Sequence, residues 1–373
     1  MKLLALRFQD HDSNFSYYDG KNVKYFSTER YLGIKHHGWG DNPFNNKLNS
    51  ILVDAFGVGV DDVDAISIVT NNYSFGDNLL VRGDVGFKKP TYFVDHHLAH
   101  AFSSWPHGVH CKNSFVFDGQ GNDFKTHSLF TNGKLIDVFD RYEHGSVAER
   151  MRTVGRVLRF KGAWQGTEAE LDLAGKVMGY QSYGEIIPWF YEHLNNFTIK
   201  DVWQVWTYPI KSDTKYIDWL RTVHEWTGDA LVKYFSQFNG SKSFSGGTAQ
   251  NSSFNGKLYK HFDMQFSPTV SDSCLSLGAL EILRIKKGIR PFPTDGFPFW
   301  QCTDESPKLT DKSQIKAIAE LLAKGKIVGV YQGKGEVGPR ALGNRSILMD
   351  PTTQNGKDII NDKVKHRESF RPF

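Results

Sequence analysis

Two histidines four residues apart, His96 and His100 in the run DHHLAHAF, are the first residues whose spacing suggests chemistry. On a helix following the predicted strand 91–94, both rings stand on one face with Cβ atoms about 5 to 6 Å apart, a spacing at which two imidazoles can share one metal ion. His97 points elsewhere. Capping or core histidines are the ordinary alternative. A third candidate ligand, Asp118, ends the predicted strand SFVFD (114–118) just before Gly119-Gln120-Gly121. That is the strand end at which α/β folds place metal and phosphate chemistry. Asp272 opens a predicted helix and serves there either as its cap or as a fourth ligand. Mixed His/carboxylate ligation favours a divalent first-row ion, iron, manganese or zinc, over calcium or magnesium. With phosphate as co-ligand, the ion would act as Lewis acid and electrostatic template.

Three glycine turns form a second group: Asp118-Gly-Gln-Gly, Ser245-Gly246-Gly247-Thr248 and Gly175-Lys176-Val177-Met178-Gly179. The first two follow strands, in the order of the phosphate and adenosine loops of actin-like ATPases, where backbone N–H groups cradle phosphate. In a third segment, GPRALGNRS, Arg340 and Arg345 stand five apart in a Gly/Pro-framed loop, as an anion clamp or as a stabilising pair. Charge points the same way. The 373 residues carry a net charge of +4, and residues 308–373 hold 13 basic against 7 acidic side chains, which leaves 32 against 34 for residues 1–307. This basic end suits a phosphate-bearing small molecule, or else forms a solvated face.

The elements that must position these groups read as α/β. Short strands open the chain, with a hairpin at Asp19-Gly20; a helix is predicted around 46–56 and a buried strand at 65–70. Residues 145–240 read as mostly helical, and 271–287 as a helix ending at Gly288. The stretch 288–307, with four prolines and two glycines, is the best linker candidate. The length suits two or three domains. No run is apolar enough to span a bilayer, and Arg7 and Asp10 interrupt any signal-peptide core, so no membrane role is expected. Cys111, Cys274 and Cys302 form no CxxC pair, which argues against a thiolate zinc site or a disulfide framework and for a reducing cytoplasm.

GPRALGNRSILMDP, followed by INDKVKHRESFRPF, closely resembles a segment of the O-carbamoyltransferases that include antibiotic-tailoring and nodulation-factor enzymes. HDSNFSYYDG, TERYLGIKHH, HHLAHAFSSW, FDGQGND, AGKVMGYQSYG, SGGTAQNSSFNG and PTVSDSCLSLGAL occur in that family's order, so the resemblance spans essentially the whole chain. It implies an actin-like ATPase domain (residues 1–290) similar to the tRNA threonylcarbamoyltransferase subunit, a linker (291–307), and the N-terminal part of a carbamoyl-adenylate-forming domain (308–373) similar to threonylcarbamoyl-adenylate synthase. That last domain is expected to be incomplete at Phe373. The implied reaction joins carbamoyl phosphate to ATP, releases pyrophosphate, and passes the carbamoyl group from carbamoyl adenylate to an acceptor hydroxyl. By resemblance, His96, His100, Asp118 and Asp272 hold the metal, iron first and manganese or zinc otherwise, with magnesium accompanying ATP. Gly119, Gly121, Gly246, Gly247, Asn251 and Asn255 bind nucleotide; Lys176, Arg340 and Arg345 bind or act on substrate. His11 is the candidate base, since histidine titrates near the working pH; a loop-orienting role is the alternative. Cys274 and Gln250 depart from the family pattern and alter the pocket's shape. The acceptor favoured is the hydroxymethyl group of 5-hydroxymethylcytosine in DNA, as in phages with hypermodified DNA, with Trp39, Trp105, Trp164 and Trp203 as candidate stacking residues. A sugar hydroxyl is the alternative, a homodimer is left open, and the rivals are a tRNA threonylcarbamoyltransferase and a non-catalytic nucleotide-binding module.

Overall fold

The computed structural model describes residues 1–8, 11–39, 47–71, 73–210 and 212–373. Its first strand, β1 (Leu3–Arg7), sends Leu3 and Ala5 into one core and Leu4 and Leu6 into another on the opposite face, as the two-residue period of a strand requires. Arg7 continues the Leu3 face and so points toward the cleft. β2 (Asn14–Tyr18) and β3 (Val23–Ser27) complete a meander, and the predicted Asp19-Gly20 turn is held by the Asp19 carboxylate, which accepts from the N–H groups of Lys21 and Asn22 at 2.8 Å. After α1 (Thr28–Leu32) and α2 (Lys47–Phe56) come β4 (Ala65–Val69), β5 (Leu80–Gly83) and β6 (Thr91–Val94). Residue 46, the expected start of α2, lies outside the described residues.

α3 (His96–Phe102) crosses to a second sheet, β7 (Asn113–Phe117), β8 (Lys125–Thr131) and β9 (Lys134–Asp140). The predicted helical middle follows as α4 (Val147–Val157), α5 (Thr167–Glu170), α6 (Leu173–Tyr180), α7 (Pro188–Leu194), α8 (Val202–Trp206) and α9 (Tyr216–Phe235). β10 (Lys242–Ser245), α10 (Ser252–His261) and β11 (Met264–Gln265) finish this lobe, and α11 (Leu275–Lys286) returns to the first sheet. β12 (Gln301–Ser306), α12 (Lys312–Ala323), β13 (Val328–Tyr331), β14 (Gly333–Gly335), β15 (Arg345–Leu348) and α13 (Gly356–Ile360) end the chain.

The strand order is β14-β12-β3-β2-β1-β4-β6-β5 in the first sheet and β11-β10-β7-β8-β9 in the second. Each therefore contains the same unit, an antiparallel meander whose first strand is central, continued by parallel strands beyond it. Two such lobes facing a cleft are the actin-like ATPase arrangement expected. Among the described residues no helix is long and apolar enough to cross a membrane.

Two local expectations fail. The proline-rich stretch is not a free linker: Phe292 and Trp300 are buried, and β12 pairs with both β3 and β14. Its aromatic side chains find a core face, which outweighs the local chain-breaking signal. The GKVMG segment is not a turn but part of α6, because Leu173 and Val177 lie one helical turn apart on a buried face.

α3 and α11 are the two crossings between lobes, and they touch backbone to backbone. A Cβ at Gly278 would lie 1.8 Å from the Ala99 carbonyl oxygen. Gly278→Ala should therefore force the helices apart and lower stability by about 3 kcal/mol, read as a shift in urea unfolding midpoint; wild-type stability would contradict this packing.

Candidate metal centre and adjoining clefts

α3 begins where β6 ends because Asp95 caps it, accepting from the Leu98 N–H at 2.9 Å. This fixes the helix phase, so that His96 and His100 present their rings to the same side with centroids 4.8 Å apart. Asp118 arrives from the C-terminal end of β7, and Asp272 from the one-turn 3-10 segment before α11. All four side chains are buried, and one ligand atom from each lies within 4.8 Å of the other three. His96 Nε2 is 2.9 Å from Asp118 and His100 Nε2 is 3.1 Å from Asp272.

The tautomer follows from the surroundings. Asn71 Oδ1 is 2.8 Å from His96 Nδ1, so that nitrogen carries a proton, and Nε2, which donates to Asp118 in the imidazolium, would turn its lone pair to a bound cation. Asp118 also accepts the Gly247 N–H at 2.8 Å, and Asp272 pairs with Arg7 at 3.4 Å. Burial pushes the Asp118 carboxyl up, but hydrogen bonds from His100 and His96 outweigh it and hold it well below its usual range. Burial likewise lowers His100, yet Asp118 and Asp272 raise it to about 9. Two buried carboxylates, with one arginine among their neighbours, call for further positive charge, which either an imidazolium or a divalent cation supplies. The donor set, two imidazoles and two carboxylates, fits such a cation. His97 faces away, 2.8 Å from Ser128 Oγ, and burial keeps it neutral.

Two cavities adjoin the quartet. One, of about 280 Å³, is lined by His11, Asp118, Asp272, Gln120 and Arg141; the other, of about 210 Å³, by Gly175, Met178, Thr248, Asn251, Arg340 and Arg371. Asp12, His36, Asp172 and Gly247 line both. His11 Nδ1 is 2.9 Å from Asp12, and its Nε2 lies 3.9 Å from Asp272. Asp12 also binds His36 Nδ1 at 3.0 Å, and His36 Nε2 is 3.6 Å from Asp172, which Lys35 pairs as well. The loop carrying Lys35 and His36 belongs to the first lobe and Asp172 to the second, so this chain of charges joins the lobes.

The other expected residues divide. Gly247 and Asn251 reach the cavities, and Gly119 lines the larger one. Gly246 has φ 88°, and a Cβ there would be 2.3 Å from the Phe117 carbonyl oxygen, so its lack of a side chain lets β10 pass the end of β7. Asn255 donates to the Ala249 carbonyl at 2.8 Å, and Gly121 packs on the His97 ring; both support the walls. Lys176 departs from expectation. Its ammonium is directed away from the cavities to Glu368, at 2.9 Å, because α6 places it on the side covered by the last residues of the chain. Arg345 departs too, since its guanidinium is held by the buried Glu336, whose carboxylate also accepts the N–H groups of Leu342 and Asn344 at 2.9 and 2.8 Å. Arg340 alone of that pair lines a cavity. Asp12, His36, Asp172, Asn71 and Glu336 were not singled out in the sequence. Asp12 adjoins His11, His36 lies in the TERYLGIKHH segment and Glu336 precedes the GPRALGNRS loop, which are the only signals they gave.

Asp12 and Asp172 overcome the effect of burial and hold His36 up at about 10. A histidine raised from about 6.5 to about 10 contributes stability that is fully present below pH 6.5 and lost as pH rises to 10. The stability gap between wild type and His36→Gln, from urea unfolding, should therefore shrink between those values; a gap independent of pH would contradict the contact. For the quartet, His96→Ala and His100→Ala should each remove a tightly held first-row metal in elemental analysis, and Asn71→Ala should weaken it about tenfold. Unchanged metal content in both histidine variants would rule out these ligands.

Residues 319–373 match the family described as Carbamoyltransferase C-terminus. An uncharacterized protein of Methanocaldococcus jannaschii is 28% identical over 81% of this chain and 59% of its own length. The nodulation protein NolO of Bradyrhizobium diazoefficiens is 39% identical over 35% of this chain and 27% of its own. The 3'-hydroxymethylcephem-O-carbamoyltransferase of Streptomyces clavuligerus is 34% identical over 34% of this chain and 26% of its own. The chain thus spans less than two thirds of the length of these relatives. Among solved structures, full-length HypF in its phosphate- and nucleotide-bound form aligns with 78% of this chain and 47% of its own, at 13% identity and a TM-score of 0.44. The matched segment and the nodulation and cephem relatives make this chain similar to the O-carbamoyltransferases.

Proposed function

We propose that this chain carries the transfer site of an ATP-dependent O-carbamoyltransferase, which moves a carbamoyl group from carbamoyl adenylate to an acceptor hydroxyl. The observation that carries this reading is the convergence on one cleft of an Asp12-oriented histidine, a four-ligand quartet and a glycine N–H tied to Asp118. The division of the chain at 290 and 308 is part of the same proposal, with residues 308–373 belonging to the adenylating unit. Written with atoms balanced, carbamoyl phosphate is first hydrolysed to carbamate and phosphate; carbamate oxygen then attacks the α-phosphorus of ATP, and pyrophosphate leaves. The acceptor oxygen next attacks the carbamoyl carbon, the C–O bond to AMP breaks, and the acceptor's proton must be taken up.

The residues have matching tasks. Arg340 and Arg371 offer positive charge to anionic substrate in the smaller cavity. Asn251 caps α10, its Oδ1 accepting from Ser253 and Phe254 N–H groups at 3.1 and 3.2 Å, which fixes the wall against which adenosine would lie. His11 takes the acceptor proton at Nε2, with Asp12 holding the ring through Nδ1. Burial lowers His11, but Asp12 and Asp272 raise it; a cation at the quartet would offset the Asp272 charge and free the base. His96, His100, Asp118 and Asp272 would hold that cation, iron by preference, and it would polarise the phosphate of the adenylate. The acceptor we favour is the hydroxymethyl group of 5-hydroxymethylcytosine in DNA.

The full-length gene product, given ATP and carbamoyl phosphate, should release pyrophosphate; with a 5-hydroxymethylcytosine oligonucleotide it should add one carbamoyl mass, and His11→Asn should lose transfer while keeping pyrophosphate release. If no pyrophosphate appears and supplied carbamoyl adenylate is not consumed, the transferase reading fails. Pyrophosphate release without modification of the oligonucleotide would replace the DNA acceptor with a sugar hydroxyl.

A further inference from the structure

Beyond the quartet, the segment after Asp118 takes an unusual course. Asn122 is buried and pinned on three sides. Its Nδ2 donates to the carbonyls of Thr70 and Tyr73 at 2.7 and 2.8 Å, and its Oδ1 accepts the His96 N–H at 2.8 Å. Asp123 and Phe124 then both adopt left-handed backbone, with φ 53° and 59°. Neither is glycine, and each such residue stores about 1 kcal/mol or more that the surrounding structure must impose. Asp123 is held by the Phe75 N–H at 3.2 Å and by Lys125 at 3.6 Å. The outcome is that Phe124 stands 46% exposed instead of joining the core beneath it.

A second ring meets it there. The Arg141 N–H donates to the Phe124 carbonyl at 3.0 Å, which brings Tyr142, 72% exposed, edge-on to Phe124 with centroids 5.0 Å apart. The same Arg141 lines the larger cavity with His11, Asp118 and Asp272, and its guanidinium donates to Gln120 on the cavity wall. The pair is thus joined through one residue to the cleft of the transfer site. Two exposed tryptophans differ: Trp203 lies under the Arg150 guanidinium at 3.8 Å and Trp164 under Arg156 at 5.4 Å, and neither lines this cavity.

We infer that Phe124 and Tyr142 form the acceptor platform, on which a nucleobase of single-stranded or locally opened DNA stacks while Arg141 takes the neighbouring phosphate. This rests on the transferase reading for its purpose and names the acceptor side of that same cleft. Aromatic faces stack on bases of any sequence, whereas a cation placed beside them selects a phosphodiester-linked base over a neutral sugar. Arg141 is the cation of the cavity lining that adjoins the aromatic pair, so the neighbouring phosphate belongs there, and the hydroxymethyl group points inward.

The test is fluorescence anisotropy with a fluorescein-labelled single-stranded oligonucleotide containing one 5-hydroxymethylcytosine, at fixed ionic strength. Phe124→Ala and Tyr142→Ala should each weaken binding about tenfold, Tyr142→Trp should bind as wild type does, and all three should unfold at the wild-type temperature. Alanine variants that bind equally well, or a wild type that does not bind the oligonucleotide, would overturn the platform. Pyrophosphate release from ATP and carbamoyl phosphate without acceptor is measured alongside on the wild type. Its absence from the wild type would sink the transferase reading, and the binding result would still decide the platform.

Discussion

Asp118 and Asp272 are two buried carboxylates that meet at the junction of the lobes, and their charge must be answered on site. Removing a carboxylate from water is affordable only where hydrogen bonds and opposite charge replace the lost solvation. Much of the local architecture is that replacement. Arg7 ends β1 on the face that reaches Asp272, and Asn14 donates from Nδ2 to the Asp272 carbonyl at 2.9 Å while its Oδ1 accepts the Ser276 N–H at 3.0 Å. Gly247 gives its N–H to Asp118, and His96 and His100 close the remaining side. These groups come from β1, β2, α3 and the turn after β10, so the meeting of the two charges is also what registers the lobes against each other.

Close backbone approach is the condition for this. α3 carries both histidines and α11 follows Asp272, so the quartet forms only if those helices lie in direct contact, which Gly278 permits. On the other side, Gly246 lets β10 run past the end of β7, bringing Gly247 within reach of Asp118. Two glycines in different lobes therefore do the same job, removing a side chain where a carboxylate must be met by a group from another segment. A set built from one element would need neither.

What could be read in the sequence follows this distinction between local and assembled features. The His96/His100 spacing, the strand ending at Asp118 and the Asp19-Gly20 hairpin depend on a few consecutive residues, and they stand in the structure where their spacing puts them. Asp272 was ambiguous between cap and ligand for a physical reason. A carboxylate at a helix start satisfies local N–H groups equally well until a second segment brings histidines to it. Asp172 gave no local signal and His36 only its place in the TERYLGIKHH segment, because their partnership exists only when the lobes meet across the cleft. The proline-rich stretch misled in the opposite sense, since its prolines interrupt helices but do not prevent β12 from extending a sheet edge. Lys176 shows the same limit. By resemblance its GKVMG segment suggested a substrate-facing loop, and the helix that actually forms turns it toward Glu368.

The two arginines of the GPRALGNRS loop show how charge counting becomes chemistry. Both contribute equally to the basic excess of the chain's end, yet Arg345 is consumed by Glu336, a residue with no exposed surface. That carboxylate collects the N–H groups of Leu342 and Asn344 together with the Arg345 guanidinium, occupying the donors that an unfilled loop of this kind would turn on a phosphate. Arg30 clamps the same loop from the first lobe through the Gly338 carbonyl at 2.6 Å. The loop is thereby built around an anion of its own, and its stiffness holds Arg340 at the cavity, while Arg371 approaches from the segment docked on the second lobe by Phe370 against Phe160 and Tyr180. The cations left facing the smaller cavity come from opposite sides of the cleft. An anion bound between them would draw the lobes together, which is the direction in which the His36–Asp172 contact already holds them.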